Sequence, residues 1–418
     1  MSAMTVPLGI SSQPRSLPDV DGEAFIVARS QGARLIDAKG RSFVDYGMAM
    51  GATLVGHGHP AVRDACMAAF EDGPMPGFRH PREEEAGIAL ARVGGERVSK
   101  VTFVTTGTEA VHLACRIARG TTGRRIVAKA VGGYDGWLDA LRLGLVGSPE
   151  AERSNNRIVR EEMTLFRVNE IADIEQMFDE LGPDLAAILV EPMLGNTGCV
   201  VPERAFFERL TELARANGTM IIADEVMVGL RRGVTLVSES LGLVPDLVTM
   251  GKAIGSGVPV AAVLGTPKAF EVVESGEVMR FGTYHGNPLV TAAVTATMKL
   301  LEPQSYARLD AYGATLRAAM VEIFAGQGIS VTTSGFDSVF SIWFTDIAPK
   351  TYDEAKAKLR PEATAQVYET LRRHGVVALP SPWGRFFISF AHGDAEMERT
   401  RRALEAAARD LARSGFKG

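Results

Sequence analysis

Cysteine is scarce in this chain: three among 418 residues, Cys66, Cys115 and Cys199, far apart in sequence. That spacing excludes a CxxC metal or redox pair and a dense disulfide framework, and it fits a reducing cytoplasm. Positive charge is not in excess: 45 Lys and Arg against 50 Asp and Glu leave a net charge of −5. The chain therefore lacks the basic balance that phosphate backbones demand, and nucleic acid is not an expected partner. Long apolar runs are missing too. The most apolar stretch, 241–265, is broken by Asp246 and Lys252, and no window approaches the roughly 20 apolar residues of a membrane span. Residues 1–20 show no basic segment followed by an apolar run, so no secretory signal is expected there. The seven histidines offer only His57-Gly58-His59 as a near pair, in a Gly-rich turn that reads as a loop rather than a metal site.

What is present is ordinary globular composition, 46% apolar and 23% charged, with 44 glycines as the outlier. At roughly 150 residues per domain, the length implies two to three domains. Strand and helix signals alternate through the middle of the chain. Short apolar or β-branched strands are expected at 100–104, 125–128, 185–190, 220–223, 247–250 and 260–263, with helices at 109–119 and 203–217. Near-continuous apolar strands between helices imply a mostly parallel sheet covered on both faces. The ends differ: 33–37 and 42–45 suit an antiparallel meander. Helices at 306–324, 361–374 and 395–414 alternate with strands at 339–344 and 386–390. The expected architecture is α/β, a large domain over 54–301 beside a smaller α+β domain built from 1–53 plus 302–418.

In an open α/β sheet, ligands sit beyond the carboxyl ends of the strands, so polar residues there are the candidates. Thr105-Thr106-Gly107-Thr108-Glu109 follows the strand 100–104. Gly107 lets backbone approach a ligand, Thr108 is a candidate N-cap, and the amides of a first helical turn favour an anion such as phosphate. Ala223-Asp224-Glu225 puts two carboxylates at the end of an apolar strand, where they need a cation or donors. A protonated ring nitrogen is the better-fitting partner for them than a metal. Met250-Gly251-Lys252-Ala253 sets one lysine after another apolar strand. Burial lowers a lysine's pKa, which suits Schiff-base chemistry, and Ala253 stands where a Walker motif would carry Ser or Thr. A fourth loop, Phe281-Gly282-Thr283-Tyr284-His285-Gly286-Asn287-Pro288, precedes a helix.

Taken in order, these motifs resemble a class III (fold-type I) pyridoxal-phosphate aminotransferase, closest to the glutamate-1-semialdehyde aminomutase group. Gly133-Tyr134-Asp135-Gly136, Val190-Glu191-Pro192 and Gly195-Asn196 extend the resemblance over nearly the whole chain. The resemblance implies that Lys252 holds the cofactor as a Schiff base and shuttles the proton, and that Asp224 pairs with the pyridinium nitrogen. It implies that Thr106, Gly107 and Thr108 bind the phosphate, that Tyr134 stacks on the ring and that Val226 packs beneath it. Glu191 and Asn196 fall near the ring's phenolic oxygen, and Thr283 reaches the phosphate of a neighbouring subunit, which requires a homodimer.

Two arginines are candidates for a substrate carboxylate, since the planar guanidinium matches it. Arg15 falls where the aminomutase group places a carboxylate-binding arginine, and Arg385 where ordinary class III aminotransferases carry one. Gly384 stands near a point where the aminomutases carry an acidic residue, Asp135 replaces a usual histidine, and Trp137–Arg157 is shorter than that group's gating loop. These departures favour exchange of substrates over retention. The expectation is an intermolecular aminotransferase passing an amino group from a carboxylate-bearing amine to a keto acid. The aminomutase-type intramolecular transfer, a racemase on the same fold, and a catalytically inactive cofactor-binding homologue are the alternatives.

Overall fold

The computed structural model describes residues 5–148, 159–160, 162–379 and 381–416. A meander of β1 (Val27–Gln31), β2 (Arg34–Asp37) and β3 (Ser42–Asp45) leads into the chain. The large sheet is built from β4 (Lys100–Val104), β5 (Ile126–Ala130), β6 (Val159–Arg160), β7 (Met163–Phe166), β8 (Leu185–Val190), β9 (Met220–Asp224), β10 (Leu247–Met250) and β11 (Ala261–Gly265). Its order is β4-β11-β10-β9-β8-β5-β7-β6. Only β11 and β6 run against the others, as the apolar strands between helices led us to expect. Every residue of β5, β8, β9, β10 and β11 is buried, which is the signature of a sheet covered on both faces. The helices Gly107–Thr122 and Arg204–Asn217 pack their apolar sides on it and end on the left-handed glycines Gly123 and Gly218.

Capping differs from the sequence expectation at one place that matters. Thr106, not Thr108, is the N-cap: its side chain accepts from the Glu109 amide, and Glu109 reaches back to the Thr106 amide. The Thr-x-x-Glu spacing closes this reciprocal box, and Thr108 becomes the second helical residue, free to face the strand ends.

The rest of the chain forms two small sheets from β12 (Thr332–Phe336), β13 (Val339–Trp343), β14 (Val376–Val377) and β15 (Arg385–Phe387). β14 joins the meander parallel to β3, so the two ends of the chain share a sheet, and β12-β13-β15 form the other. The strand expected over 386–390 leaves its sheet early because the Phe390 amide turns to the Leu54 carbonyl. Arg231 ties these parts together. Fully buried, it donates to the carbonyls of Gly51 (2.7 Å), Ile388 (3.1 Å) and Ser338 (3.3 Å) and lies over the Phe387 ring. Of the segment Trp137–Arg157, residues after Ser148 lie outside the described residues. No helix among those described is long and apolar enough to cross a membrane.

Candidate active site

Five parallel strands end at one place. β4 delivers Thr105–Thr108, β5 delivers Tyr134–Gly136, β8 delivers Glu191, β9 ends on Asp224, and β10 is followed by Lys252. Together they line a cavity of about 320 Å³. Thr106, Gly107, Thr108, Tyr134, Glu191, Asn196, Asp224, Val226 and Lys252 all line it. Thr283 does not; it sits exposed on the surface loop 281–287. Neither arginine is in the lining. Arg15 is exposed in a short 3-10 turn near the N-terminus, whereas Arg385 lies just behind the wall, its Nη1 3.7 Å from the sulfur of Met227, which does line the cavity.

The two adjacent carboxylates of β9 divide their work. Glu225 faces away and is fully consumed by the amides of Val237 and Ser238 and the Ser238 hydroxyl. Asp224 faces the cavity, with Oδ1 accepting from the Val226 amide and the Thr249 hydroxyl, both at 2.9 Å. The parallel register sets Thr249 opposite Asp224, so one oxygen is clamped and the other left for a ligand. Burial, reinforced by the negative charge of Asp135, pushes Asp224 up to about 7. Burial likewise raises Glu191 to about 8, although its carboxylate accepts from the Tyr134 and Gly195 amides at 2.8 and 3.2 Å. Such a site is short of positive charge and favours a cationic ring nitrogen.

Lys252 carries an unusual backbone, φ +47°, after Gly251. A left-handed lysine costs on the order of 1–2 kcal/mol, and it aims the side chain into the cavity instead of along the surface. Burial lowers its pKa, against the pull of Asp224 and Glu191, which leaves more of the amine free to attack a carbonyl. At the opposite end stands the helix opened by Thr106. The Gly107 and Thr108 amides take no partner among the described residues, and the helix N-terminus favours an anion there. Gly107 is required by close approach: a Cβ on it would stand 2.8 Å from Val226 Cγ1.

These groups fit pyridoxal phosphate. Free amides face the phosphate end, Val226 and Tyr134 border the ring space, Asp224 offers an oxygen to the ring nitrogen, and Lys252 presents an amine. Sequence reasoning gave no role to Thr249, Met227, Lys129 or Asp135, though each bears on the site. Lys129 was findable, as the one charged residue in the buried strand Ile126–Ala130. Met227 and Thr249 carry no signal in sequence, since their places follow from strand register and loop shape.

Comparison with known proteins agrees with this geometry. The model of the family Aminotransferase class-III matches residues 18–376. The chain is 36% identical over 404 residues to glutamate-1-semialdehyde 2,1-aminomutase of Nitratidesulfovibrio vulgaris, covering 94% of this chain and 93% of that one. Among solved structures it is similar to a transaminase with PLP bound, with TM-score 0.87, 27% identity, and 98% and 96% of the two chains covered. An omega-transaminase from Sphaerobacter thermophilus gives TM-score 0.88 and 27% identity over 98% and 95%. The chain belongs to the class-III aminotransferase family, with the fold-type I architecture and pyridoxal phosphate as its cofactor.

Proposed function

We propose that this protein catalyses an amino transfer of the glutamate-1-semialdehyde 2,1-aminomutase type, moving nitrogen between adjacent carbons of one carboxylate-bearing substrate. The observation that carries this reading is the 36% identity over 94% of the chain to an enzyme of that name. It supports the intramolecular alternative over the intermolecular aminotransferase expected from Arg385 and its neighbours. Pyridoxal phosphate, when bound, supplies the carbonyl that takes up the amino group and the conjugated ring that accepts the freed electron pair.

The chain's own residues do the rest. Lys252 would hold the cofactor through its Nζ and, when that amine is free, would carry the proton between the reacting carbons. Asp224, held by Thr249 and the Val226 amide, keeps the ring nitrogen protonated. Thr106, Gly107 and Thr108 grip the phosphate, Tyr134 covers the ring, and Glu191 and Asn196 border its oxygen side. Arg385 and Arg15 are the two candidates for the substrate carboxylate. Arg385 has the better position, with a buried Nε that has no partner among the described residues. Thr283 serves the site of a second subunit. Its loop carries the exposed Phe281 and Tyr284, with Phe78 also exposed, an apolar surface that suits a homodimer. The division into 54–301 and 1–53 plus 302–418 belongs to the same reading, as does a reducing cytoplasm for three unpaired cysteines.

A second reading, intermolecular transfer to a keto acid, is favoured by the buried Arg385, whose Nε has no partner among the described residues, and by the transaminases among the structural relatives. One experiment separates them. Holoenzyme given glutamate 1-semialdehyde alone should yield the isomeric amino ketone without consuming a keto acid. Turnover of amino acids only when a keto acid is added would overturn the intramolecular reading. Borohydride reduction followed by peptide mapping should place the cofactor on Lys252. An unmodified Lys252 peptide would count for the inactive homologue.

A further inference from the structure

Behind the cavity lies a buried ion pair that the roles above leave unused. Lys129, in the middle of β5 and wholly buried, donates to the Leu141 carbonyl at 2.7 Å and stands 3.0 Å from Asp135 Oδ2. Asp135 is only 2% exposed, and neither of its carboxylate oxygens takes a hydrogen bond among the described residues, so the contact with Lys129 is an ion pair by distance alone. The pair is oriented: Asp135 lines the cavity and Lys129 does not. A Cβ placed on Gly133 would lie 3.2 Å from Asp135 Oδ2 and 3.4 Å from Glu191 Oε1, so the Asp135 and Glu191 carboxylates converge on one turn.

We propose that Lys129 and Asp135 are positioning residues for the cofactor's ring nitrogen, a fixed dipole whose negative end strengthens the hold of Asp224 on the ring proton. Lys129 anchors Asp135 as a carboxylate in a place where an unpaired one would be costly. Asp135 then adds a second negative charge near Asp224, which disfavours an ionised Asp224 in an empty cavity and favours a cation, such as a protonated ring nitrogen, placed beside the two. The charge of Asp135 is among the causes that raise both Asp224 and Glu191, whereas Lys129 is not among those that lower them. The other groups facing this region are Lys252 after β10, Tyr134 in the same turn, and Cys115 on the helix Gly107–Thr122, whose thiol burial pushes up to about 12. None of them supplies a fixed charge of the sign of Asp135.

The inference rests on the cofactor reading of the cavity, and its test can fail separately. Wild type, Asp135→Asn and the double variant Lys129→Met with Asp135→Asn are loaded with cofactor labelled at the ring nitrogen with 15N. The nitrogen shift is followed with pH. Both variants should lose the ring proton at a pH lower by about one unit, a ten-fold fall in proton affinity. Asp135→Glu, which keeps the charge, should restore the midpoint. A purely structural pair would leave the midpoint of the well-packed double variant unchanged, and that result overturns the proposal. Should both variants lose the native fold, Asp135→His decides, since it fills the same place without a fixed negative charge: a lowered midpoint supports the proposal and an unchanged one overturns it. Failure of every form to bind the cofactor would instead overturn the reading of the cavity.

Discussion

The phosphate end of the site depends on a contact between one missing side chain and one stiff one. A Cβ on Gly107 would stand 2.8 Å from Val226 Cγ1 and 3.2 Å from Cγ2. Val226 cannot swing aside, because its branched Cβ restricts χ1 and its amide is tied to Asp224. Gly107 has no left-handed φ, so Gly107→Ala adds volume without backbone strain of its own. The relief has to come from the helix start, which carries the Gly107 and Thr108 amides away from the ligand. Overpacking of this kind costs about 1–3 kcal/mol, equivalent to roughly a five-fold to 150-fold rise in Kd. Titration of apoprotein with pyridoxal phosphate, followed by its absorbance, measures that change directly. Val226→Ala removes the opposing methyl groups, so the double variant should bind more tightly than Gly107→Ala alone. Unchanged affinity in Gly107→Ala, or no recovery in the double variant, would refute the claim that this contact sets the position of the phosphate amides.

Other perturbations test the frame and the charges. Arg231→Met strips donors from three buried carbonyls and should lower unfolding stability by about 3 kcal/mol or more, read from the urea midpoint. Arg231→Lys should recover only part of this, since an ammonium cannot span the three carbonyls. In apoprotein, Asp224 and Glu191 are raised to about 7 and about 8, so the folded state binds their protons more tightly than the unfolded chain does. Their contribution is complete at low pH and is lost as pH rises through those values. Buried His392, lowered to about 4, acts in the opposite sense only below about 6.5. Apoprotein Tm should therefore fall from about pH 4, the ordinary carboxylate range, to about pH 8, less steeply below about 6.5 where His392 opposes it, and level off above; saturating pyridoxal phosphate should flatten the fall. Arg385→Leu should raise KM for carboxylate-bearing substrates at least ten-fold while sparing cofactor affinity. Arg15→Ala, at an exposed position, should leave KM within about two-fold if Arg385 is the clamp; the reverse pattern would transfer that role to Arg15.

What was legible in the sequence was whatever depends on neighbours along the chain. Apolar runs such as Leu185–Val190 marked the strands, and the polar residue after each run marked the site, because parallel strands bring their carboxyl ends to one edge. Thr106-Gly107-Thr108-Glu109 also contains its own capping signal, a threonine followed three residues later by glutamate, which places the N-cap at Thr106 and not at Thr108. What was not legible depends on register and on distant segments. Thr249 reaches Asp224 only because β10 lies beside β9 with those residues paired. Arg231 looked like one basic residue in Arg231-Arg232-Gly233, yet it closes three backbone segments whose numbers run from 51 to 388.

Charge placement around the cavity sets what the site can bind, and it does not by itself separate the two substrate readings. Four acidic or basic groups border one cavity: Asp224, Glu191, Asp135 and Lys252. The three carboxylates outnumber the lysine, so an empty site is electrostatically frustrated and a cofactor bearing a ring N–H relieves it. The substrate's own carboxylate would worsen that imbalance unless met by a cation from outside the lining. Arg385, behind Met227 and with an Nε that has no partner among the described residues, is one such cation with capacity to spare. Met227, which lines the cavity, stands between it and Arg385 Nη1. An open path past Met227 would serve both an aminomutase and a transaminase, and the two then differ in how long the product stays beside Lys252. That residence time, not the presence of any one arginine, is what substrate given alone and substrate given with a keto acid would compare.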